Sequence, residues 1–385
     1  MRLLERYLRY LTRPERIRPW NRVRPLFGGE QAYPEMLAAI RSAKEHIHLE
    51  IYILADDQVG RLFQAALIER AQAGVAVRLL YDSLGCFGLG ESFLGPLRAA
   101  GVRILEFAPI LPWRRRFGLN RRDHQKILVV DDRLAFTGGL NLSEDYVPLE
   151  QGGGGWYDVH ARIEGPAVHD LAALFRRTWV KHGGDRFQEP AMPPPALPQG
   201  GASAPGVQVI SNVVMRSRSH MRHAYLRAIR RADRTISLMN AYFIPDRGLR
   251  RAFARAARRG VVVRVIVPST SDVQAVRYAS RFLYARLMRT GVRIFEWPGR
   301  MMHAKCGVID EVWSTIGSYN LDRRSFLHNL EVAVVVVDGA VGEELQVAFE
   351  EELKRCREVI PGEWEKRSVW EKAKEWAFYQ LRYWL

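Results

Sequence analysis

Two stretches of the chain share one pattern: HQKILVVDDRLAFTGGLN, residues 124–141, and HAKCGVIDEVWSTIGSYN, residues 303–320. In each stretch, a His-x-Lys triplet opens an apolar run, an acidic turn follows, and a second apolar run ends in Gly-Gly-Leu-Asn or Gly-Ser-Tyr-Asn. Short apolar runs bounded by turn residues predict two β-hairpins. Because residues two apart on a strand point to the same face, each hairpin is expected to present an imidazole and an ammonium group together: His124 with Lys126, and His303 with Lys305.

The return strand of each hairpin brings small and amide residues back beside the His–Lys pair. A tight turn would place residue 124 opposite residue 139, and residue 303 opposite residue 318. Glycine lets the backbone approach a ligand closely, and hydroxyl or amide groups can donate hydrogen bonds to phosphate oxygens. The candidate phosphate-binding residues are therefore Gly139, Asn141, Ser318 and Asn320.

Carboxylates near the two motifs fall into two classes. A histidine that acts as nucleophile or acid needs a partner for its second ring nitrogen. Asp158 in GWYDVH and Glu331 in HNLEVAVVVV start the next apolar segment of each copy, and we assign them as orienting carboxylates. Asp131 and Asp310 lie in the hairpin turns and face away from the histidine side by strand parity, which indicates a mainly structural role.

A metal ion is not expected at this site. Lysine on the same face repels a cation, and the ligand spacings of zinc sites are absent from the sequence. The sequence therefore predicts a site that needs neither a metal nor another cofactor.

The remainder of each half is duplicated as well. The matching apolar segments are IHLEIYIL (47–54), GVAVRLL (74–80) and GVRILEF (101–107) in the first half, and ISLMNAYFI (236–244), GVVVRVI (260–266) and GVRIFEW (291–297) in the second. Helical patterns separate these strands. The expected fold is thus α/β, with two fused domains related by pseudo-two-fold symmetry.

Composition supports two domains and a negatively charged partner. The chain has 385 residues, 48% of them apolar, which suits a globular protein with more than one core. The formal net charge of +16 points to nucleic acid, an anionic membrane surface or phosphorylated substrates. Three scattered cysteines favour a reducing compartment. Without a run of 18 apolar residues or a secretory leader, any membrane contact is expected to be peripheral.

The expected organisation has five parts. They are a basic amphipathic N-terminal segment (1–25), a first domain (26–187), a proline-rich linker (188–206), a second domain (207–360) and an aromatic, basic C-terminal helix (361–385).

Three basic segments allow two interpretations each. The insertion at residues 108–123, which contains Trp113, is either a solvated loop or a lip that enters a lipid interface. The C-terminal segment either packs on the core or lies in such an interface. The arginine-rich residues 215–234 are either a solvated helix face or a contact for single-stranded nucleic acid.

HxKxxxxD followed by GGxN or GSxN, present twice, resembles the phospholipase D superfamily over roughly residues 30 to 360. GGLN paired with GSYNLDRRSFLHNLE resembles bacterial cardiolipin synthases, in particular the shorter type without N-terminal transmembrane helices. The resemblance implies two phospholipase D-like domains, each a mixed sheet flanked by helices, with the active site at their interface. It also implies that one histidine attacks phosphorus to form a phosphohistidine while the other protonates the leaving group.

By analogy we assign His124 as nucleophile and His303 as acid and base, although pseudo-symmetry leaves the two roles interchangeable in the sequence. The groups expected to hold the phosphoryl oxygens are Lys126, Lys305, Asn141, Asn320 and Ser318.

The resemblance implies transfer of a phosphatidyl group from phosphatidylglycerol to a second phosphatidylglycerol, which yields cardiolipin and glycerol. Two other enzymatic functions remain open: a phospholipase D-type hydrolase, and a nuclease of the same superfamily. A degenerate binding module is disfavoured because both motifs are complete. The expected partners are anionic phospholipids at the cytoplasmic face of the cell membrane rather than nucleic acid, and one chain should suffice to form the site.

Overall fold

The computed structural model describes residues 8–110, 120–187, 206–212 and 220–383. Each half of the chain forms one mixed β-sheet. The first sheet contains β1 Arg22–Phe27, β2 His46–Ile51, β3 Ala76–Asp82, β4 Arg103–Phe107, β5 Ile127–Val130, β6 Leu134–Gly138 and β7 Val159–Glu164. The second contains β8 Gly206–Ser211, β9 Thr235–Asn240, β10 Val262–Pro268, β11 Val292–Trp297, β12 Lys305–Ile309, β13 Trp313–Gly317, β14 Val332–Val337 and β15 Arg357–Glu358.

The two sheets repeat one topology. The strand orders are β1-β7-β6-β5-β2-β3-β4 and β8-β14-β13-β12-β9-β10-β11-β15, so among the strands of the described residues only β15 lacks a counterpart. Strands β2, β3 and β4 are parallel, as are β9, β10 and β11, and the remaining pairs are antiparallel. The predicted α/β fold of two mixed sheets in two repeats is therefore confirmed.

Helices cover both sheets, and strands β6 and β7 of the first sheet contact β13 and β14 of the second directly. The helices are α1 Gly28–Ser42, α2 Gln58–Gln72, α3 Glu91–Ala99, α4 Ala167–Lys181, α5 His220–Arg231, α6 Arg247–Arg258, α7 Gln274–Met288, α8 Arg323–Leu327, α9 Gly339–Arg355, α10 Pro361–Glu365 and α11 Val369–Gln380. Helices α1 to α3 pack on the outer face of the first sheet, and α5 to α7 on that of the second. Helices α4 and α9 lie in a shared central core. Neighbouring strand residues such as Leu79 and Leu80 accordingly face different layers.

The predicted register of the two hairpins is wrong by one residue. Ile127 pairs with Thr137, and Cys306 with Ile316, which leaves three residues rather than two in each turn. The cause is a pair of consecutive residues with positive φ in each turn. Asp131 and Asp132 have φ of 50° and 49°, and the second turn repeats this at residues 310 and 311. The sequence pattern carries no signal for two successive left-handed residues that are not glycine.

The N-terminal segment packs across both halves. Tyr10 and Leu11 are buried, and the Tyr10 hydroxyl donates to Asp310 at 2.7 Å. Arg18 pairs with Asp170 of the first half and bridges the backbone of Val207 in the second. Strand β1 already begins at residue 22, so the end of the predicted segment 1–25 belongs to the first sheet.

Five features predicted from the sequence fall wholly or partly outside the described residues. These are the first seven residues of the basic segment, the part of the insertion at 111–119, the linker from 188 to 205, residues 215–219 of the arginine-rich stretch, and residues 384–385 of the C-terminal segment. None of the described helices combines the length and the apolar character needed to cross a bilayer.

The C-terminal helix α11 packs on α7 and still exposes aromatic side chains. Phe378 stacks on Tyr278 at 5.4 Å, and buried Glu375 pairs with Arg281 at 3.2 Å. In contrast, Trp370 and Trp376 are 83% and 56% exposed. One face of the helix therefore packs on the core, and the interpretation of the segment as an interfacial helix stays a prediction.

Candidate active site

Backbone bridges between the two halves bring the motif residues together. Asp123 forms a parallel bridge with Leu330, and the His124 N–H donates to the Leu330 carbonyl at 2.9 Å. In the other direction, the His303 N–H donates to the Tyr157 carbonyl at 2.7 Å. Each histidine thus lies next to a carboxylate of the opposite half. His124 lies next to Glu331, which follows Leu330, and His303 lies next to Asp158, which follows Tyr157.

Each imidazole contacts a carboxylate that belongs to the other half of the chain. His124 Nδ1 lies 2.9 Å from Glu331 Oε2, and His303 Nδ1 lies 2.7 Å from Asp158 Oδ2. Both carboxylates are fully buried. Because Nδ1 is engaged in each ring, Nε2 is the nitrogen available to a substrate.

Both histidines line one cavity of about 300 Å³, which we call the central cavity. Its other lining residues include Tyr52, Asn141, Trp156, Tyr242, Asp272, Asn320 and Arg324. The Tyr52 ring lies 4.9 Å from that of His124, and the Trp156 ring lies 5.7 Å from that of His303. These aromatic walls fix the position of the imidazoles and reduce their contact with water.

The two predicted asparagines do line the central cavity. The side-chain carbonyl of Asn141 accepts the Ile53 N–H at 3.2 Å, and that of Asn320 accepts the Tyr242 N–H at 3.3 Å. Since the oxygen of each amide is taken, the N–H groups are the part that a ligand oxygen can use. One N–H of Asn141 already donates to the Tyr146 hydroxyl at 2.8 Å.

The two predicted lysines lie behind the histidines rather than in the wall of the cavity. Lys126 Nζ donates to the His124 carbonyl at 2.8 Å, and Lys305 Nζ donates to the His303 carbonyl. Burial lowers the pKa of Lys126 to about 7 and that of Lys305 to about 8, although Glu331 and Asp158 favour the charged forms. The lysines therefore place a cation beneath each imidazole.

Gly139 and Ser318 contact carboxylates instead of the cavity. A Cβ atom at position 139 would overlap the Asp158 carboxylate, so glycine makes room for it. The Ser318 hydroxyl donates to Glu331 Oε2, the oxygen that also contacts His124. These contacts differ from the predicted role of both residues in binding phosphate, because in the structure they hold the carboxylates that contact the histidines.

The turn residues Asp131 and Asp310 lie away from the central cavity and tie each hairpin to the next strand of its sheet. Their carboxylates accept backbone N–H groups at the start of β2 and β9, from Lys44, Glu45 and His46 and from Asp233, Arg234 and Thr235, respectively.

Electrostatics distinguish the two histidines. The pKa of His124 is held well below its ordinary value by burial and by the two lysines. Burial and Lys305 also lower the pKa of His303, but the contact with Asp158 opposes them. Burial raises the pKa of Glu331 to about 8, against the hydrogen bond from Ser318 and the charge of Lys126. Of the two imidazoles, His303 therefore has the surroundings that favour the protonated form more strongly.

Two parts of the site were missed in the sequence. The buried Tyr146 hydroxyl lies 3.0 Å from His303 Nδ1, while the equivalent position of the second copy is Ser325. Buried Arg122 pairs with Asp82 at 2.7 Å, and Asp82 also accepts the Asp123 N–H, which fixes the chain just before His124. An alignment of the two copies would have shown a tyrosine at position 146 where the second copy has a serine. Arg122 left no local signal, because its partner Asp82 lies on β3, far away in the sequence.

Comparisons with known proteins agree with this geometry. Residues 36–179 and 225–353 match the family described as cardiolipin synthase, PLD-like domain. The cardiolipin synthase of Geobacillus kaustophilus is 36% identical over 309 residues, which are 80% of this chain and 61% of that protein. Cardiolipin synthase 1 of Bacillus cereus is 33% identical over 351 residues, 89% of this chain and 69% of the relative. The chain thus spans about three-fifths to two-thirds of the length of these curated relatives.

A solved structure shares the fold. The phosphatidylserine synthase of Haemophilus influenzae superposes with a TM-score of 0.67 at 15% identity, covering 94% of this chain and 95% of that one. Because the matched segments contain both His-x-Lys hairpins and take in most of the chain, the chain belongs to the cardiolipin synthase family of phospholipase D-like domains.

Proposed function

We propose that the protein is a phosphatidyltransferase that forms cardiolipin and glycerol from two molecules of phosphatidylglycerol. One observation carries this proposal: two imidazoles, each with Nδ1 on a buried carboxylate of the other half, share one cavity. A pair of this kind can divide a phosphodiester exchange into two displacements. The names of the relatives supply the substrate class.

In the first displacement, His124 Nε2 attacks phosphorus and forms a phosphohistidine. The bond from phosphorus to the glycerol oxygen breaks, and His303 gives its Nε2 proton to that oxygen. In the second displacement, neutral His303 takes the proton of an acceptor hydroxyl while the hydroxyl oxygen attacks phosphorus, and the bond to His124 breaks. Proton transfer by a positioned group typically accelerates such steps by about 10² to 10⁴.

The electrostatic asymmetry supports this assignment of roles. A nucleophile must be neutral, and the lowered pKa of His124 keeps it so. Burial and Lys305 lower the pKa of His303, but Asp158 and Asp272 oppose this shift and favour the protonated form that an acid needs. Asn141 and Asn320 in the cavity wall are placed to donate to the phosphoryl oxygens, and the lysines beneath add positive charge where negative charge builds.

The proposed substrates are lipids of a membrane surface. We propose that it binds anionic phospholipids peripherally at the cytoplasmic face and that one chain forms the site. The exposed tryptophans of α11 suit the headgroup zone of a bilayer. Cys86 and Cys306 are buried free thiols, which supports a reducing compartment.

Purified protein incubated with labelled phosphatidylglycerol vesicles, without added metal, tests the proposed reaction. Cardiolipin and glycerol should form with the wild type and with the control His169→Ala, and should be absent with His124→Ala or His303→Ala. Circular dichroism must show that all variants fold. Phosphatidic acid as the main product would make the protein a hydrolase. Cleavage of a single-stranded oligonucleotide with no lipid product would contradict the proposal.

A further inference from the structure

A second basic site lies outside the central cavity, where α6, α7, α8 and the C-terminal segment meet. A pocket of about 250 Å³ contains the arginines Arg247, Arg250, Arg323 and Arg382 in its lining. An adjoining pocket of about 430 Å³ shares the first two and adds Arg251 and Arg286. We call these six side chains the arginine groove.

The arginine groove keeps its positive charge. Among the residues that the structure describes, none of its six arginines forms an ion pair with a carboxylate, whereas Arg264 and Arg293 elsewhere pair with Glu350 and Glu358. The one acid in the lining, Asp246, is already paired with Arg222 and caps the N-terminus of α6.

Neutral groups hold the guanidinium groups in place instead. Arg250 donates to the Pro245 carbonyl at 2.9 Å and to the Tyr379 hydroxyl at 3.2 Å. Arg382 donates to the Tyr379 carbonyl at 2.9 Å. These hydrogen bonds orient the side chains without neutralising their positive charge. The groove can therefore bind an anion that comes from outside the chain.

Residues adjacent in the sequence link the groove to the central cavity and to the exposed part of the C-terminal segment. Arg323 of α8 directly precedes Arg324, which lines the central cavity. Arg382 directly follows Leu381, which is 49% exposed. An apolar side chain at the edge of a basic groove is typical of a surface that meets lipid headgroups.

We propose that the arginine groove binds the phosphate of an anionic phospholipid in the bilayer, at a site separate from the cavity in which transfer occurs. The guanidinium group matches phosphate because it can donate two parallel hydrogen bonds. The choice of a lipid phosphate rests on the proposed function, and the groove itself argues against nucleic acid. Single strands need a free aromatic face. Tyr379 has none to offer, since its ring stacks on Phe282 at 4.6 Å and lies under Arg382 at 4.4 Å.

The test compares two variants that remove the same charge from the protein. Arg247→Gln/Arg323→Gln changes the groove, and Arg255→Gln/Arg258→Gln changes the far end of α6. Binding is measured by flotation with phosphatidylcholine vesicles that contain or lack phosphatidylglycerol. Each arginine beside an anionic surface contributes roughly fivefold in affinity, so the groove variant should bind phosphatidylglycerol vesicles on the order of 20-fold more weakly. The control variant should lose less than about threefold because salt screens distant charges.

Equal losses in the two variants, or no loss in the groove variant, would overturn the proposal. It is also overturned if the groove variant loses affinity for inorganic phosphate or a single-stranded oligonucleotide and keeps its affinity for vesicles. All binding is measured in the His124→Ala background, without turnover. A failure of the groove to bind lipid therefore leaves the proposed transfer untouched, and an inactive wild type leaves the binding result valid.

Discussion

At the scale of single residues, Gly139 and Ser318 show how the two copies have diverged together with their carboxylates. The two residues occupy equivalent positions. Gly139 leaves space for the short side chain of Asp158, and Ser318 donates a hydrogen bond to the longer Glu331. The pairs Gly–Asp and Ser–Glu are therefore two local solutions for holding an imidazole.

Gly139→Ala is predicted to lower kcat and to cost about 1–3 kcal/mol of stability, because the added Cβ meets the fully buried Asp158 carboxylate. The added Cβ overlaps the Asp158 carboxylate, which must shift and release His303 from its position. Misplacement of a reacting group by about 1 Å can cost on the order of 10²-fold in rate, and we expect a decrease of roughly 10- to 100-fold. Steady-state kinetics on phosphatidylglycerol and a thermal unfolding curve measure the two effects.

Gly362→Ala is the matched control, since a Cβ at position 362 meets no atom within 4 Å. Equal kcat values for the two alanine variants would show that the position of Asp158 does not limit the reaction.

At the scale of elements, α11 has two faces with different tasks. Phe378 and buried Glu375 fasten it to α7, and Arg367 adds a second ion pair to Glu375. Trp370 and Trp376 remain on the outer side. The helix is therefore held rigidly enough to present its tryptophans without depending on them for folding.

Trp370→Ser/Trp376→Ser is predicted to weaken binding to anionic vesicles by roughly tenfold, because burial of apolar surface in the bilayer interface is lost. The unfolding temperature should stay close to that of the wild type. Leu62→Ser/Val347→Ser provides the control, since these side chains are 50% and 56% exposed on other helices. If both double variants bound anionic vesicles equally well, the result would show that α11 does not contribute to the membrane contact.

The elements also show where sequence reasoning succeeds and where it stops. The His-x-Lys hairpins, their duplication and the asparagines of the cavity wall could be predicted because strand periodicity and spacing are local signals. The turn register could not, since it depends on positive φ at Asp131 and Asp132. The contact of each histidine with a carboxylate of the other half could not be predicted either, because the bridge from Asp123 to Leu330 joins parts of the chain that are distant in the sequence.

At the scale of the whole molecule, the proposed reaction requires opposite protonation states of the histidines that the two halves contribute. His124 must be neutral, so activity rises as pH increases through its pKa, which burial and the lysines hold below 6.5. His303 must be protonated in the first step, so activity falls as pH rises through its own pKa. Above about 7 and about 8, Lys126 and Lys305 also lose their charge.

The profile of kcat/KM against pH is therefore predicted to be bell-shaped, with an acid limb below pH 6.5 and a decline that continues through about pH 7 and about pH 8 as the lysines lose their charge. Both limbs belong to the coupled site and not to one residue. Initial rates measured from about pH 5 to 9, with single-turnover experiments to establish that chemistry limits the rate, test this. A flat profile under those conditions would contradict the division of roles.

Because each histidine contacts a carboxylate of the opposite half, neither half contains a complete site. A polypeptide with only one of the two copies would carry an imidazole and a carboxylate that cannot serve each other, because each reaches across to the opposite half. Such a polypeptide would complete its site only by pairing with an identical molecule about a two-fold axis. Two copies joined in one chain need no second molecule to complete the site, and their equivalent positions can hold different residues, as Gly139 and Ser318 do.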